Sequence, residues 1–307
     1  MKKTTIPDGV YPTMVTPFTE DLRVDDGALP PLLRWYEDHG AAGVFAICSS
    51  SEITCLRFEE RLHILRILMR ARRPGTVILA SGHVETEPAL FTREARGFAA
   101  EGIDAYVFIS SRVVGPGADE DEFLRRLEAA AKALGDIPLG LYECPSPYRR
   151  PLTPSIIKRL PGIGNFAFSK DTCCNLDQIK AKLEAAQNTG LKLYNANTAT
   201  LLESLRAGCA GFSGVMGNFH PQLYAKLCEC YGEDPALAER LQDFCNMAFR
   251  MRQMHPVCAK YYLRLEGVPM GIASRAKDAS LFTREQQLII EHLRELTQQF
   301  EQEGAQS

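Results

Sequence analysis

The stretch EFLRRLEAAAKALGDIPLGLYE, from Glu122 to Glu143, holds one complete repeat of the pattern that decides the fold. Its first part sets Phe123, Leu127, Ala130 and Leu134 on one side and Glu122, Arg125, Arg126 and Lys132 on the other, as in an amphipathic helix packed on a sheet. Gly135 follows, where a left-handed C-cap residue is needed and the lack of a Cβ helps. From Ile137 to Glu143 the chain is then almost continuously apolar, which suits a parallel strand covered on both faces.

The same unit recurs in both directions. Apolar runs span Val10 to Phe18, Gly43 to Cys48, Thr76 to Ser81, Asp104 to Ser110, Phe166 to Lys170, Leu191 to Asn195 and Gly211 to Met216; with the Ile137 run they number eight. Helical patterns separate them, and Gly40, Gly102, Gly190 and Gly208 close their helices as Gly135 does. Eight right-handed βα units in about 230 residues predict an α/β fold of the closed (β/α)8, or TIM, barrel type rather than an open sheet with a nucleotide-binding turn.

Three more helical segments follow, Pro235 to Gln253, Pro256 to Leu265 and Arg284 to Glu303, the last opened by the capping box Thr283-x-x-Gln286. The chain is therefore expected to divide into a barrel over residues 1–232 and a helical extension, 233–307, packed on the barrel.

With 307 residues, 45% of them hydrophobic and 24% charged, the chain can bury a sizeable core, which excludes wholesale disorder. Thirty-five basic against thirty-eight acidic residues give a net charge of −3 and no basic stripe, so nucleic acid is not an expected partner. No run reaches 18 apolar residues and the start, Met1 to Pro7, lacks the apolar core of a signal peptide; no membrane partner is expected, and a cytoplasmic location is. The ten cysteines, including Cys228-x-Cys230 and the pair Cys173-Cys174, lack zinc-type spacing and read as reduced thiols. The histidines at 39, 63, 83, 220, 255 and 292 form no i,i+4 or His-x-His pair, so no metal is expected. Gly162-x-Gly164-x-x-Ala167 follows a helix and enters a strand, the reverse of a dinucleotide site, so no nucleotide cofactor is expected either.

In such a barrel, chemistry sits where strands end at their C-terminal side. The sixth run ends in Lys170, which alternation places with Phe166 and Phe168 facing the interior. Desolvation there would lower its pKa and leave a neutral amine able to condense with a carbonyl as a Schiff base. A lysine at a strand end more often snorkels into water, so position alone leaves both readings open. Tyr142 ends the fifth run, where a phenol could shuttle protons, although a buried tyrosine with one satisfied hydrogen bond is the commoner case. After the second run come Ser49 and Ser50, whose hydroxyls and N–H groups suit a carboxylate but are also ordinary turn chemistry.

As a set, these segments resemble the dihydrodipicolinate synthase and N-acetylneuraminate lyase superfamily over nearly the whole chain. The resemblance rests on Gly9 to Phe18, on Cys48-Ser49-Ser50-Ser51-Glu52, on Tyr142-Glu143-Cys144-Pro145-Ser146 and on Phe168-Ser169-Lys170-Asp171. It extends to Gly208 to Val215 and to His255-Pro256 with Lys260. It implies a class I aldolase or lyase acting on pyruvate or another small 2-oxo acid, with no cofactor beyond the covalent Schiff base. Lys170 then matches the Schiff-base lysine and Tyr142 the proton-relaying tyrosine. Ser49 and Ser50 match the carboxylate-holding positions, Ser50 also being placed to pass a proton to Tyr142, and Ser213 matches a pocket-lining position. A homotetramer built as a dimer of dimers is implied as well.

Departures from the family pattern narrow this. Cys48 and Ser51 replace both glycines of the family's Gly-Thr-Thr-Gly-Glu segment, so a turn relying on positive φ would differ. Ser110-Ser111-Arg112-Val113 stands where the synthases carry Thr-Pro-Tyr-Tyr, and Pro147 where they carry an arginine five residues after the relay tyrosine. An aspartate-semialdehyde substrate would thereby lose a bidentate partner and a proton donor. Arg112 becomes a candidate contact for a different acidic or hydroxylated substrate, against the reading of a solvated loop arginine. Three readings stand: a Schiff-base lyase or aldolase with an unidentified aldehyde or sugar-acid partner, an authentic 4-hydroxy-tetrahydrodipicolinate synthase, and a non-catalytic paralogue that binds a 2-oxo acid.

Overall fold

A computed structural model describes residues 6–82, 84 and 87–305. Along the chain run β1 (Gly9–Val10), α1 (Leu29–Asp38), β2 (Gly43–Ile47), α2 (Phe58–Ala71), β3 (Val77–Ala80), α3 (Pro88–Ala100) and β4 (Ala105–Ile109). The short α4 (Ser110–Val113) precedes α5 (Glu120–Leu134), β5 (Leu139–Tyr142), α6 (Pro154–Arg159), β6 (Phe166–Asp171), α7 (Leu176–Ala186), β7 (Lys192–Asn195), α8 (Leu201–Arg206) and β8 (Gly211–Phe212). Then follow α9 (Pro221–Cys230), α10 (Pro235–Met251), α11 (Val257–Leu265) and α12 (Arg284–Ala305).

All eight strands pair in parallel, in the order β1-β8-β7-β6-β5-β4-β3-β2. Backbone just beyond β1 closes the ring: Phe45 N–H donates to the Pro12 carbonyl at 2.9 Å, Met14 N–H donates to the Phe45 carbonyl at 3.1 Å, and Thr13 bridges Phe45 in parallel. The TIM barrel expected from the eight repeats is thus the fold.

The first and last strands are much shorter than their apolar runs. The run from Val10 to Phe18 keeps ladder pairing over Gly9–Val10 and at Thr13, because Pro12 and Pro17 have no N–H to donate. The last run stops at Phe212, since Val215–Asn218 winds into a 3₁₀ turn. Gly211 sits so close to β1 that a Cβ on it would meet the Gly9 carbonyl oxygen at 1.9 Å, so the seam between first and last strands requires glycine there. The five glycines read as helix stops all carry positive φ, from 69° at Gly135 to 109° at Gly208.

Inside the ring, aromatic side chains fill the space beneath the C-terminal strand ends. Phe168 stacks on Tyr194 at 4.7 Å and meets Tyr11 and Phe45 edge-on, at 5.8 Å and 6.1 Å. These rings form an apolar floor under whatever the next interior layer carries. The C-terminal helices share this core: α10 packs on α8 and α9, α11 on α12, and Leu241, Leu263 and Leu293 belong to the same buried cluster as Phe168. The expected capping box of α12 forms, with Gln286 N–H donating to Thr283 Oγ1 at 3.3 Å and Thr283 N–H to Gln286 Oε1 at 3.0 Å. Among the described residues no helix is long and apolar enough to cross a membrane.

Candidate active site

Lys170 is the penultimate residue of β6 and pairs in register with Tyr142, the last residue of β5. Each is 4% exposed. The Lys170 Nζ lies 4.3 Å from the centroid of the Tyr142 ring and 5.8 Å from that of Phe45. It makes no ion pair or hydrogen bond among the described residues. Burial therefore pushes the Lys170 pKa below the ordinary lysine range, with the Cys48 and Cys144 thiols opposing. Burial also raises the Tyr142 phenol, and Cys144 reinforces this. An amine whose charged form burial disfavours, beside a protonated phenol on an aromatic floor, is an arrangement suited to attack on a carbonyl carbon with a proton at hand for its oxygen.

The turn after β2 closes without glycine. Cys48 N–H donates to Ser51 Oγ at 2.6 Å, Ser51 Oγ donates to the Cys48 carbonyl at 2.7 Å, and Thr16 Oγ1 donates to the Ser51 carbonyl at 2.8 Å. Neither Cys48 nor Ser51 has positive φ; the left-handed residue is Glu52, at φ 61°. A serine hydroxyl thus does locally what conformational freedom would otherwise do. Burial raises the pKa of the Cys48 thiol, with Lys170 and then the Ser51 and Ser50 N–H groups opposing.

Of the residues singled out from sequence, Ser50 is buried and its Oγ donates to Thr13 Oγ1 at 3.0 Å. No hydrogen bond links Ser50 to Tyr142. Ser49 is exposed at the turn's tip. Ser213 is fully buried and its Oγ donates to the Tyr11 carbonyl at 3.0 Å, across the seam of the barrel. Arg112 is turned elsewhere: its guanidinium donates to the Val84 carbonyl at 2.5 Å and lines a groove with Val113, Arg126 and Tyr148. No contact joins it to Lys170 or Tyr142 among the described residues. Of the histidines, His83 lies outside the described residues. His255, just ahead of α11, has both ring nitrogens buried without a partner; burial, then the positive charges of Arg252, Lys260 and Lys170, push its pKa down to about 3.

Two contributors escaped the reading of the sequence as site residues, Thr13 and Glu52. Thr13 lies in the first apolar run, where a search of strand ends could have found it. Glu52 is held strained but well bonded: its Oε1 accepts from Lys260 Nζ at 2.7 Å, and its Oε2 from Ser274 Oγ at 2.9 Å, Arg275 N–H at 2.7 Å and Ala276 N–H at 2.8 Å. The serine turn is thereby tied to α11 and to the segment before α12. Removing the cation from this buried pair strands a carboxylate, so Lys260→Met is expected to cost about 3–5 kcal/mol of stability. Urea denaturation followed by circular dichroism checks this, and a loss near zero would mean that the pair does not anchor the turn.

Comparison with known proteins gives the family of the chain. Residues 6–295 match the model of the dihydrodipicolinate synthetase family. A 4-hydroxy-tetrahydrodipicolinate synthase of Alcanivorax borkumensis is 29% identical over 225 residues, covering 72% of this chain and 74% of its own. One from Laribacter hongkongensis is 27% identical over 277 residues, covering 86% and 90%. Among solved structures, a sialic acid aldolase of Ruminococcus gnavus superposes with a TM-score of 0.85 at 19% identity, over 96% of this chain and 98% of its own. YagE, a prophage protein of E. coli K12 solved in complex with pyruvate, does so with a TM-score of 0.83 at 21% identity, over 96% and 98%. At such identities the structural likeness speaks for the barrel, and the match of the family model along nearly the whole chain speaks for descent. This chain belongs to the dihydrodipicolinate synthetase family.

Proposed function

We propose that this protein is a class I lyase or aldolase that binds pyruvate or another small 2-oxo acid as a Schiff base on Lys170. The observation that carries the reading is the buried, unpaired Lys170 amine held over the Tyr142 ring. The neutral amine adds to C2 of the keto acid, and its oxygen takes a proton from the Tyr142 phenol to give a carbinolamine. The phenolate takes back a proton from the attacking nitrogen and passes it to the carbinolamine hydroxyl, which leaves as water while the nitrogen lone pair forms the iminium. The iminium draws in the electron pair of the bond cleaved at C3, or supplies it back as an enamine when a bond is made. The hydroxyls of Ser49 and Ser50 hold the carboxylate, and Thr13 orients the Ser50 hydroxyl. The family match, the sialic acid aldolase and the pyruvate complex of YagE support the substrate class.

The second substrate is an aldehyde or sugar acid other than aspartate semialdehyde. Pro147 and the Ser110–Val113 segment lack the arginine and tyrosine of the synthase pattern, so a coupled assay with pyruvate and aspartate semialdehyde is expected to show no condensation. A screen of sugar acids for cleavage and of aldehydes for condensation with pyruvate, run on the wild type and on a chain lacking the Lys170 amine, tests the reading. The expected result is turnover in the wild type alone; equal turnover by both chains would contradict it.

A further inference from the structure

Tyr142 and Lys170 point into the barrel, so the residues that follow them point outwards. Those residues are Glu143 and Asp171, at the ends of the neighbouring strands β5 and β6, where Glu143 N–H donates to the Lys170 carbonyl at 3.2 Å. Lys182 reaches between them from α7, its Nζ donating to Asp171 Oδ2 at 2.6 Å and to Glu143 Oε1. Glu143, Asp171 and Lys182 are 0%, 1% and 2% exposed. The two carboxylates are otherwise spent on the chain leaving the two strands: Glu143 Oε1 accepts from Leu152 N–H at 2.8 Å and its Oε2 from Thr172 N–H at 3.2 Å, and Asp171 Oδ1 accepts from Cys173 N–H at 2.9 Å.

We infer that Lys182 is a positioning residue whose buried bridge to Glu143 and Asp171 clamps the ends of β5 and β6 and so fixes the place of the Lys170 amine over the Tyr142 ring. Buried ion clusters are no better for stability than apolar packing of the same volume, so stability alone gives no reason to keep one here. Geometry does: the clamp lies one residue behind each of the two facing groups. Burial, with Asp171 reinforcing it and Lys182 opposing, holds the Glu143 carboxyl above its usual range. Without the cation the two carboxylates repel, and the strand ends they hold separate. The clamp itself is independent of the proposed reaction; its catalytic consequence rests on the Schiff-base reading.

The test uses the full chain as wild type, Lys182→Met, Lys182→Arg and Glu143→Gln. Acetylation of Lys170 by acetic anhydride is followed against pH by peptide mass spectrometry, beside the rate of pyruvate capture by borohydride. The titratable groups facing Lys170 are Cys48 after β2, Tyr142 and Cys144 on and after β5, and His255 before α11. All remain in every variant; loss of the Lys182 charge by itself raises the midpoint and loss of the Glu143 charge by itself lowers it, so a rise in both Lys182→Met and Glu143→Gln reports a moved amine. In Lys182→Met the Lys170 midpoint is expected to rise as its burial relaxes, and capture to slow about ten- to a hundredfold. Lys182→Arg, which keeps the cation, is expected to lie closer to wild type. A folded Lys182→Met chain with an unchanged midpoint would overturn the inference. Should that variant fail to fold, Glu143→Gln takes its place, with a smaller rise expected and an unchanged midpoint again contrary. If the wild type captures no pyruvate while the variant midpoint still moves, the Schiff-base reading fails and the clamp stands.

Discussion

Lys170→Met is expected to lose turnover of any 2-oxo acid that the wild type accepts by about 10⁴-fold or more, the scale on which removal of a covalent nucleophile acts. The fold is expected to survive the change. Lys170 has no ion-pair partner to be orphaned, and its amine bears a desolvation cost that methionine, of similar length, does not. The thermal midpoint of the variant should therefore equal or exceed that of the wild type, as expected where a functional group is kept at the expense of stability. Calorimetry beside steady-state assays separates this from a lysine whose role is structural. A variant that loses activity and stability together would assign Lys170 to the core instead.

Tyr142→Phe carries the second large effect. Phenylalanine keeps the ring that lies beneath Nζ and against Phe45 at 5.8 Å, while removing the phenolic proton. Formation of the iminium should slow by about 10²–10⁴-fold, the usual contribution of a positioned acid–base group. Binding of the keto acid should change little, because its carboxylate is assigned to the serine turn. A single-turnover measurement of pyruvate capture, with the KM compared between the two chains, checks both halves. A raised KM at unchanged rate would make Tyr142 a binding residue and leave the proton donor elsewhere.

Much of this was legible from the chain, and for identifiable reasons. Parallel strands covered on both faces read as unbroken apolar runs, and helix stops announce themselves by glycine, so the eight-fold alternation is a local signal. Strand length is not local: the run from Val10 to Phe18 is mostly apolar, yet Pro12 and Pro17 have no N–H to give a ladder. Lys170 and Tyr142 were visible because alternation fixes which way a strand residue points. Partners across the fold were not. Glu52 and Lys260 lie 208 positions apart, and nothing near either shows that α11 will carry an ammonium to the turn after β2. Lys182 did leave a trace, standing with Ile179 and Ala186 on the buried face of α7, where a charge is out of place unless something meets it. The destination of Arg112 was equally hidden, because a loop guanidinium can turn to any nearby carbonyl and here turns to Val84.

Reduction by borohydride in the presence of pyruvate, followed by mass spectrometry of the digested wild-type chain, tests the central claim most directly. The predicted result is a reduced pyruvyl adduct on the peptide carrying Lys170. Its rate of formation should climb with pH and level off below the range in which an exposed lysine titrates, since burial depresses the Lys170 pKa. An unmodified Lys170 peptide, or an adduct spread over surface lysines with their ordinary pH dependence, would contradict it.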